Sequence, residues 1–245
     1  SHCISEWVHD FRPSYRFISE QRSIIPDVPI LALTATATDN VITDIQENLK
    51  FKKPNLIKST FERPNISYVV NQVENKEAHL LKLVNKIKSS VIVYVSTRKA
   101  TKELTDLLLS HDYSANFYHG GLSINIRKTH QERWYNNETR IMVCTNAFGM
   151  GIDKPDVKLV IHMNLPSTIE AYFQESGRAG RDGKQAYSFL LFNKHDIRYQ
   201  QDLLRLKYPE VSEIKTCYQN IANYFQIAEN TLPADPIEFD IVDFS

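Results

Sequence analysis

Arg178 and Arg181 stand three residues apart in the run Q-E-S-G-R-A-G-R-D-G at 174–183, among Gly177, Gly180 and Gly183. That spacing puts both guanidiniums on one side of a helix or tight turn. A guanidinium is a planar fork of donors that matches phosphate geometry, so polyanion chemistry is the first reading. The commoner use of an arginine pair, binding structural carboxylates, stays open beside it. The chain has only seven glycines, and five of them (Gly149, Gly151, Gly177, Gly180, Gly183) fall in the stretch 143–183; Gly120 and Gly121 lie upstream. Glycine serves where the backbone needs positive φ or must approach a ligand closely. A chain this sparing with glycine has placed each one for such a reason.

The elements that must carry these residues read as an alternation. Apolar runs at Val91–Val95, Ala115–Tyr118, Arg140–Cys144, Val157–His162 and Tyr187–Phe192 predict strands. Helical periodicity marks Leu80, Leu81, Val84 and Ile87, then Ala100, Leu104, Leu107 and Leu108, then a polar helix over 125–136 and another from about Thr168. Strands alternating with helices imply a parallel sheet covered on both faces. Ligands then bind beyond the carboxyl ends of the strands, which makes Ser96–Arg98, His119–Gly121, Thr145–Asp153 and Asn164–Ser167 candidate site loops. Upstream, Ile30–Leu33 reads as a strand running into T-A-T-A-T. Asp39 is placed to cap a helix whose apolar face is Val41, Ile42, Ile45 and Leu49. Residues 50–64 read as a strand and linker, and the chain beyond Asn193 as amphipathic helices. The first sixteen residues crowd Trp7, His9, Phe11, Arg12 and Tyr15 around Pro13. Such aromatics tuck into a core, the commoner case, or stack on bases.

Composition narrows the class. The 245 residues are 42% hydrophobic and 24% charged, with 29 basic and 29 acidic side chains and zero formal net charge. A dedicated nucleic-acid module is usually basic, so any such role rests on a local surface. There is no apolar run of membrane-spanning length and no signal-peptide pattern. Cys3, Cys144 and Cys217 are too few and too scattered for a disulfide framework or a zinc cluster, and an intracellular, cytoplasmic or nucleoid location is the expectation.

Several segments together resemble the RecQ-type DNA helicases of helicase superfamily 2. C-I-S-E-W-V-H-D-F-R-P-S-Y at 3–15 resembles that family's aromatic-rich loop, and L-A-L-T-A-T-A at 31–37 its motif III. F-E-R-P-N at 61–65 is similar to the element opening the second motor domain. V-I-V-Y-V-S-T-R at 91–98 resembles motif IV, and Y-H-G-G-L at 118–122 the motif after it. A-F-G-M-G-I-D-K-P-D-V at 147–157 resembles motif V, and the run at 174–183 motif VI.

The resemblance implies a motor of two RecA-like domains with ATP and Mg²⁺ between them, moving 3′-to-5′ on single-stranded DNA and unwinding forked DNA in repair and recombination. In this chain it implies an α/β architecture: the tail of a first RecA-like domain over 1–50, a linker over 51–64, and a RecA-like parallel sheet flanked by helices over 65–193. A small helical segment over 194–245 follows. It casts Arg181 as the arginine finger, Arg178 as the second arginine facing the γ-phosphate and Gln174 as the polar head of that motif. Gly151 and Asp153 would approach the nucleotide, Thr34, Ala35 and Thr36 would couple it to movement, and Arg98 and Thr145 would hold backbone phosphates. Trp7, His9, Phe11 and Arg12 would sense single-stranded DNA, and His2 matches the last residue of a D-E-A-H run.

The departures are as informative. No G-x-x-x-x-G-K-[ST] loop is present: the one Gly-Lys, Gly183-Lys184, is followed by Gln185. The acidic pair that would hold Mg²⁺ is missing, so the resemblance leaves ATP and Mg²⁺ held mainly by residues outside this sequence. This chain alone is expected to be inactive as an ATPase. Cys217 begins a stretch similar to the family's zinc-binding region, but no C-x-x-C follows, so no zinc is expected. Two alternatives stand beside the DNA helicase: an RNA helicase of the same superfamily, and a non-catalytic nucleic-acid binding or annealing module.

Overall fold

The computed structural model describes residues 24, 28–34, 37–53, 55–58, 60, 62–149, 152–227, 231 and 237. His2, Trp7, His9, Phe11, Arg12, Ala35, Thr36 and Gly151 lie outside these residues. The chain divides into two compact units, Ser1–Phe192 and Asn193–Ser245.

The first unit is built on a six-stranded sheet. From Asp39 onward its elements in chain order are α1 (Asp39–Asn48), β1 (Ile66–Gln72), α2 (Lys76–Lys86), β2 (Ser90–Tyr94), α3 (Arg98–Ser110), β3 (Ala115–Tyr118) and α4 (Ile124–Tyr135). There follow β4 (Ile141–Cys144), β5 (Val157–His162), α5 (Ile169–Ser176) and β6 (Ala186–Phe192). The strands lie in the order β1-β6-β5-β2-β4-β3 and every neighbouring pair is parallel. Central strands β2 and β4 are buried along their whole length, as expected where helices or loops cover both faces. On one face Val91, Val93, Ile141, Val143, Leu159 and Ile161 pack against Leu80 and Val84 of α2 and Leu104 and Leu108 of α3. On the other, Ile92, Tyr94, Met142, Cys144 and Val160 meet Trp134 of α4, Phe148 and Ile152 of the long loop after β4, and Ala179. That second face is covered largely by loops, which brings the glycine-rich stretch directly onto the sheet.

The expected strands and helices of 76–192 form, with three corrections elsewhere. Ile30–Leu33 forms no strand, although its side chains alternate as a strand's would: Ile30 and Ala32 pack on α1 while Leu31 and Leu33 are exposed. No strand among the described residues pairs with it, and a period of two alone does not make a strand. Residues described between 50 and 64 likewise form no strand. The strand near there is β1, whose polar Ser67, Asn71 and Gln72 mask its signal; it pairs with β6 from Ile66↔Ala186 to Gln72↔Phe192. The third correction is the cap of α1. Thr38, in extended conformation, accepts from Val41 N through Oγ1, and Asp39 becomes the first helical residue, where its carboxylate suits the helix dipole.

The second unit contributes α6 (Lys194–Lys207) and α7 (Val211–Tyr224). A capping box opens α6, with Asn193 Oδ1 accepting from Asp196 N and the Asp196 carboxylate from Asn193 N. Another opens α7, between Glu210 and Glu213. Cys217 is exposed on α7.

Candidate phosphate-facing site

Arg178 and Arg181 sit in the turns between α5 and β6, and both reach the same partner, the loop 145–156 after β4. Arg178 Nη1 donates to the Gly149 carbonyl, and Arg181 Nη1 donates to Asp153 Oδ1 at 2.8 Å. Gly149 has φ +153°, and a Cβ built there would overlap the Arg178 guanidinium. The glycine is therefore required by the arginine's seat. Arg178 Nε is buried and has no hydrogen-bond partner among the described residues.

The turns that carry the arginines are clamped from below. Arg63 Nη1 donates to the Gly177 carbonyl at 3.2 Å, and its Nη2 to the carbonyls of Ala179 at 3.1 Å and Gly180 at 3.0 Å. Asn65 Nδ2 donates to Gly180 O at 2.7 Å and Lys184 O at 3.0 Å. Gly180 N in turn donates to Val157 O at 2.8 Å. Gly180 has φ +61°, and an added Cβ would meet Asn65 and stand 2.9 Å from Ala186 Cβ. Arg63 and Asn65 sit inside the quoted F-E-R-P-N run, yet the sequence reading gave them no role. Their partners are main-chain carbonyls more than a hundred residues away, which no side-chain pattern announces.

The far end of the loop is fixed by Lys154. Its side chain is 2% exposed; Nζ donates to Tyr135 O at 2.9 Å, Asn137 Oδ1 at 2.8 Å and Asp156 Oδ1 at 2.8 Å. It also lies over the rings of Trp134 and Tyr135, at 5.4 Å and 5.6 Å. A buried ammonium is tolerable only when its donors are satisfied, and here three acceptors take them. Burial alone would raise the Asp156 carboxyl, but hydrogen bonds from Lys154 and Ser90 bring it below its ordinary value.

Under Arg178 the sheet ends in a row of side chains. Cys144, Tyr94 and His162 end β4, β2 and β5 and are paired in register, His162 also with Leu190 within β6. Tyr94 and His162 stack at 5.3 Å with 17° between their planes. His162 Nε2 donates to Glu175 Oε2 at 2.9 Å, with His162 1% exposed. Tyr94 donates its hydroxyl to Phe148 O at 3.2 Å. Burial, then the neighbouring Cys144, pushes the Tyr94 hydroxyl well above the usual tyrosine range, with Arg178 opposing. It therefore stays a donor.

A second group gathers at the carboxyl edge. Arg98 opens α3 and lies so close to Gly121 that an added Cβ would be 2.8 Å from its Nη1. His119 stacks on Phe117 at 5.8 Å, and burial, then Arg98, lowers its imidazole below the ordinary range. Thr145 is buried, its amide donating to Tyr118 O at 3.1 Å. The structure thus brings Arg178, Arg181 and Asp153 together, and sets Arg98 beside His119 and Gly121. Gln174 is exposed on α5, and Thr34 is exposed before α1. No group of three or more His, Cys, Asp or Glu positioned to hold a metal ion occurs among the described residues, nor a helix long and apolar enough to cross a membrane.

The helicase conserved C-terminal domain family matches residues 75–183. The chain is 44% identical over 206 residues to the ATP-dependent DNA helicase RecQ of Bacillus subtilis (strain 168), covering 83% of this chain and 35% of that protein. It is 43% identical over 203 residues to a putative ATP-dependent RNA helicase, R290, of Acanthamoeba polyphaga mimivirus, covering 82% of this chain and 37% of that one. The chain thus spans about a third of the length of these curated relatives. Among solved structures, a Saccharomyces cerevisiae Dbp5 variant bound to Gle1 and IP6 superposes with a TM-score of 0.62 at 18% identity, covering 84% of this chain and 58% of that one. That likeness speaks for the fold alone, the RecA-like parallel sheet flanked by helices.

Proposed function

Since the chain belongs to the RecQ-type helicases, we propose that residues 65–193 form the second motor domain of an ATP-dependent DNA helicase. The whole protein would couple ATP hydrolysis to 3′-to-5′ movement on single-stranded DNA and to the unwinding of forked duplexes in repair and recombination. The observation that carries this reading is the seating of both arginines on one glycine loop, with the buried Arg178 Nε left without a partner among the described residues.

The arginine pair fits a nucleotide's phosphates. Arg181 is one-third exposed and, among the described residues, held only by a carboxylate that is itself 82% exposed, so its fork is available to an anion. Arg178 and Arg181 would hold the phosphates, with Gln174, Gly151 and Asp153 at the nucleotide's margin. ATP, when bound, supplies the phosphoryl group whose transfer to water releases the free energy for movement. The chain's own part is electrostatic: guanidiniums already in place neutralise charge on the transferring group, an effect worth about 10³–10⁵ in rate. The described residues do not fit Mg²⁺, and none is assigned to it. Arg98 and Thr145, on the carboxyl edge, would take backbone phosphates, contacts that position a strand without reading its sequence.

The test is ATP turnover by the full-length protein with single-stranded DNA or RNA added, beside Arg181→Ala. Stimulation by DNA, abolished in the variant with DNA affinity retained, supports the reading. Stimulation by RNA alone supports the alternative raised by the mimivirus relative's name. Turnover untouched by Arg181→Ala would leave a binding or annealing module.

A further inference from the structure

Tyr94 is the one aromatic residue in the central strand β2, S-V-I-V-Y, and it is 4% exposed. Packing alone does not account for its hydroxyl. The ring lies flat on His162, and the hydroxyl leaves the sheet to donate to the Phe148 carbonyl. The next carbonyl along the chain, that of Gly149, takes the Arg178 guanidinium and also accepts from Ile152 N at 3.2 Å. One strand residue therefore anchors the peptide immediately before the carbonyl that receives Arg178. From the other side, Glu175 is tied to His162, and Ser176 Oγ to Ser188 Oγ at 2.7 Å. These two contacts anchor the last turn of α5, from which Arg178 emerges. Loop and helix end are thus both referenced to the same pair of stacked rings.

We propose that Tyr94 is a positioning residue for nucleotide turnover, holding the Phe148 carbonyl one residue before the Gly149 carbonyl at which Arg178 is aimed, without itself touching nucleotide or DNA. The inference rests on the functional reading above and adds to it a residue that no arginine or glycine pattern identifies. Because the ring packs like phenylalanine, Tyr94→Phe removes only the hydroxyl. In the buried environment that leaves the Phe148 carbonyl without this donor.

The experiment compares full-length wild type, Tyr94→Phe, Arg178→Lys and the double variant. We expect Tyr94→Phe to lower kcat for DNA-stimulated ATP turnover about tenfold, with KM for ATP and affinity for single-stranded DNA unchanged within about twofold. Its effect is expected to be largely lost in the Arg178→Lys background, since both act through one contact. Hydrogen exchange at the Ile152 amide is expected to speed up in Tyr94→Phe, a readout that needs no turnover. Wild-type kcat in Tyr94→Phe, or effects of the two substitutions that simply multiply, would overturn the inference while leaving the functional reading intact. A wild-type protein with no nucleotide turnover would overturn the functional reading, and this inference with it.

Discussion

Arg181 and Asp153 meet at 2.8 Å, from opposite ends of the glycine-rich stretch. Asp153 is 82% exposed, so solvent screens the pair and it contributes at most about 1 kcal/mol. Asp153 is a weak holder. A phosphate dianion competes for the same guanidinium with more charge and matching geometry.

The two partners therefore differ in what their loss does. Arg181→Ala is expected to lower ATP turnover of the full-length protein by about 10³ or more, with affinity for single-stranded DNA unchanged. Asp153→Ala is expected to shift unfolding stability by no more than about 0.5 kcal/mol. Steady-state turnover and urea unfolding measure the two; a stability loss in Asp153→Ala of several kcal/mol would show the pair to be a structural tie.

Arg63 is expected to be irreplaceable by lysine. Its fork spans three carbonyls of the turns that carry the arginines, and a single ammonium cannot reproduce that planar arrangement. Arg63→Lys should lose about 2 kcal/mol of stability, in line with the value of hydrogen bonds to charged groups. Turnover should fall while binding at the carboxyl edge persists. Equal loss of DNA affinity and turnover would argue instead for general disorder of the sheet.

Lys154→Ala removes a buried ammonium and leaves Asn137, Asp156 and the Tyr135 carbonyl short of a donor. Breaking a buried pair from one side costs about 3–5 kcal/mol, and the partial exposure of Asp156 places this case near the lower end. Urea unfolding of the 245-residue chain checks it. Lys154→Met, which keeps the stem over Trp134, should recover part of the loss; no recovery would mean that the charge carries the whole effect.

Acid sensitivity follows from Asp156. Burial raises its carboxyl, the hydrogen bonds from Lys154 and Ser90 lower it more, and the net native value lies below that of the unfolded chain. Its stabilising contribution is thus full above the unfolded value, about 3.9, and is lost as pH falls through the depressed native one. Asp156→Asn should flatten the acid limb of a stability–pH curve there and leave the curve's shape near neutrality unaltered. An unchanged acid limb would contradict it.

The sequence made the sheet legible because its central strands are buried on both faces and so are uniformly apolar, as in V-I-V-Y-V and I-M-V-C. It also exposed the arginine pair and the glycines, since rare glycines beside arginines are a pattern that composition alone reveals. β1 escaped notice because an edge strand carries Ser67, Asn71 and Gln72 without penalty. Arg63, Asn65 and Lys154 escaped for a different reason. Their work is done on main-chain carbonyls and distant polar groups, so each reads as an ordinary polar residue until the turns it holds are in place. His162 and Glu175 were hidden likewise: they lie in different elements, 13 residues apart, and only the fold brings them together.

Gly149 and Arg178 lie 29 residues apart in sequence and share one volume, since the hydrogen at one position is the space that the guanidinium fills. Geneticists would meet this as phenocopy. Any side chain at Gly149 evicts Arg178, so substitutions at the two positions should fall in one phenotypic class and fail to worsen one another when combined. Their tolerated alleles would have to change together, as at a single locus.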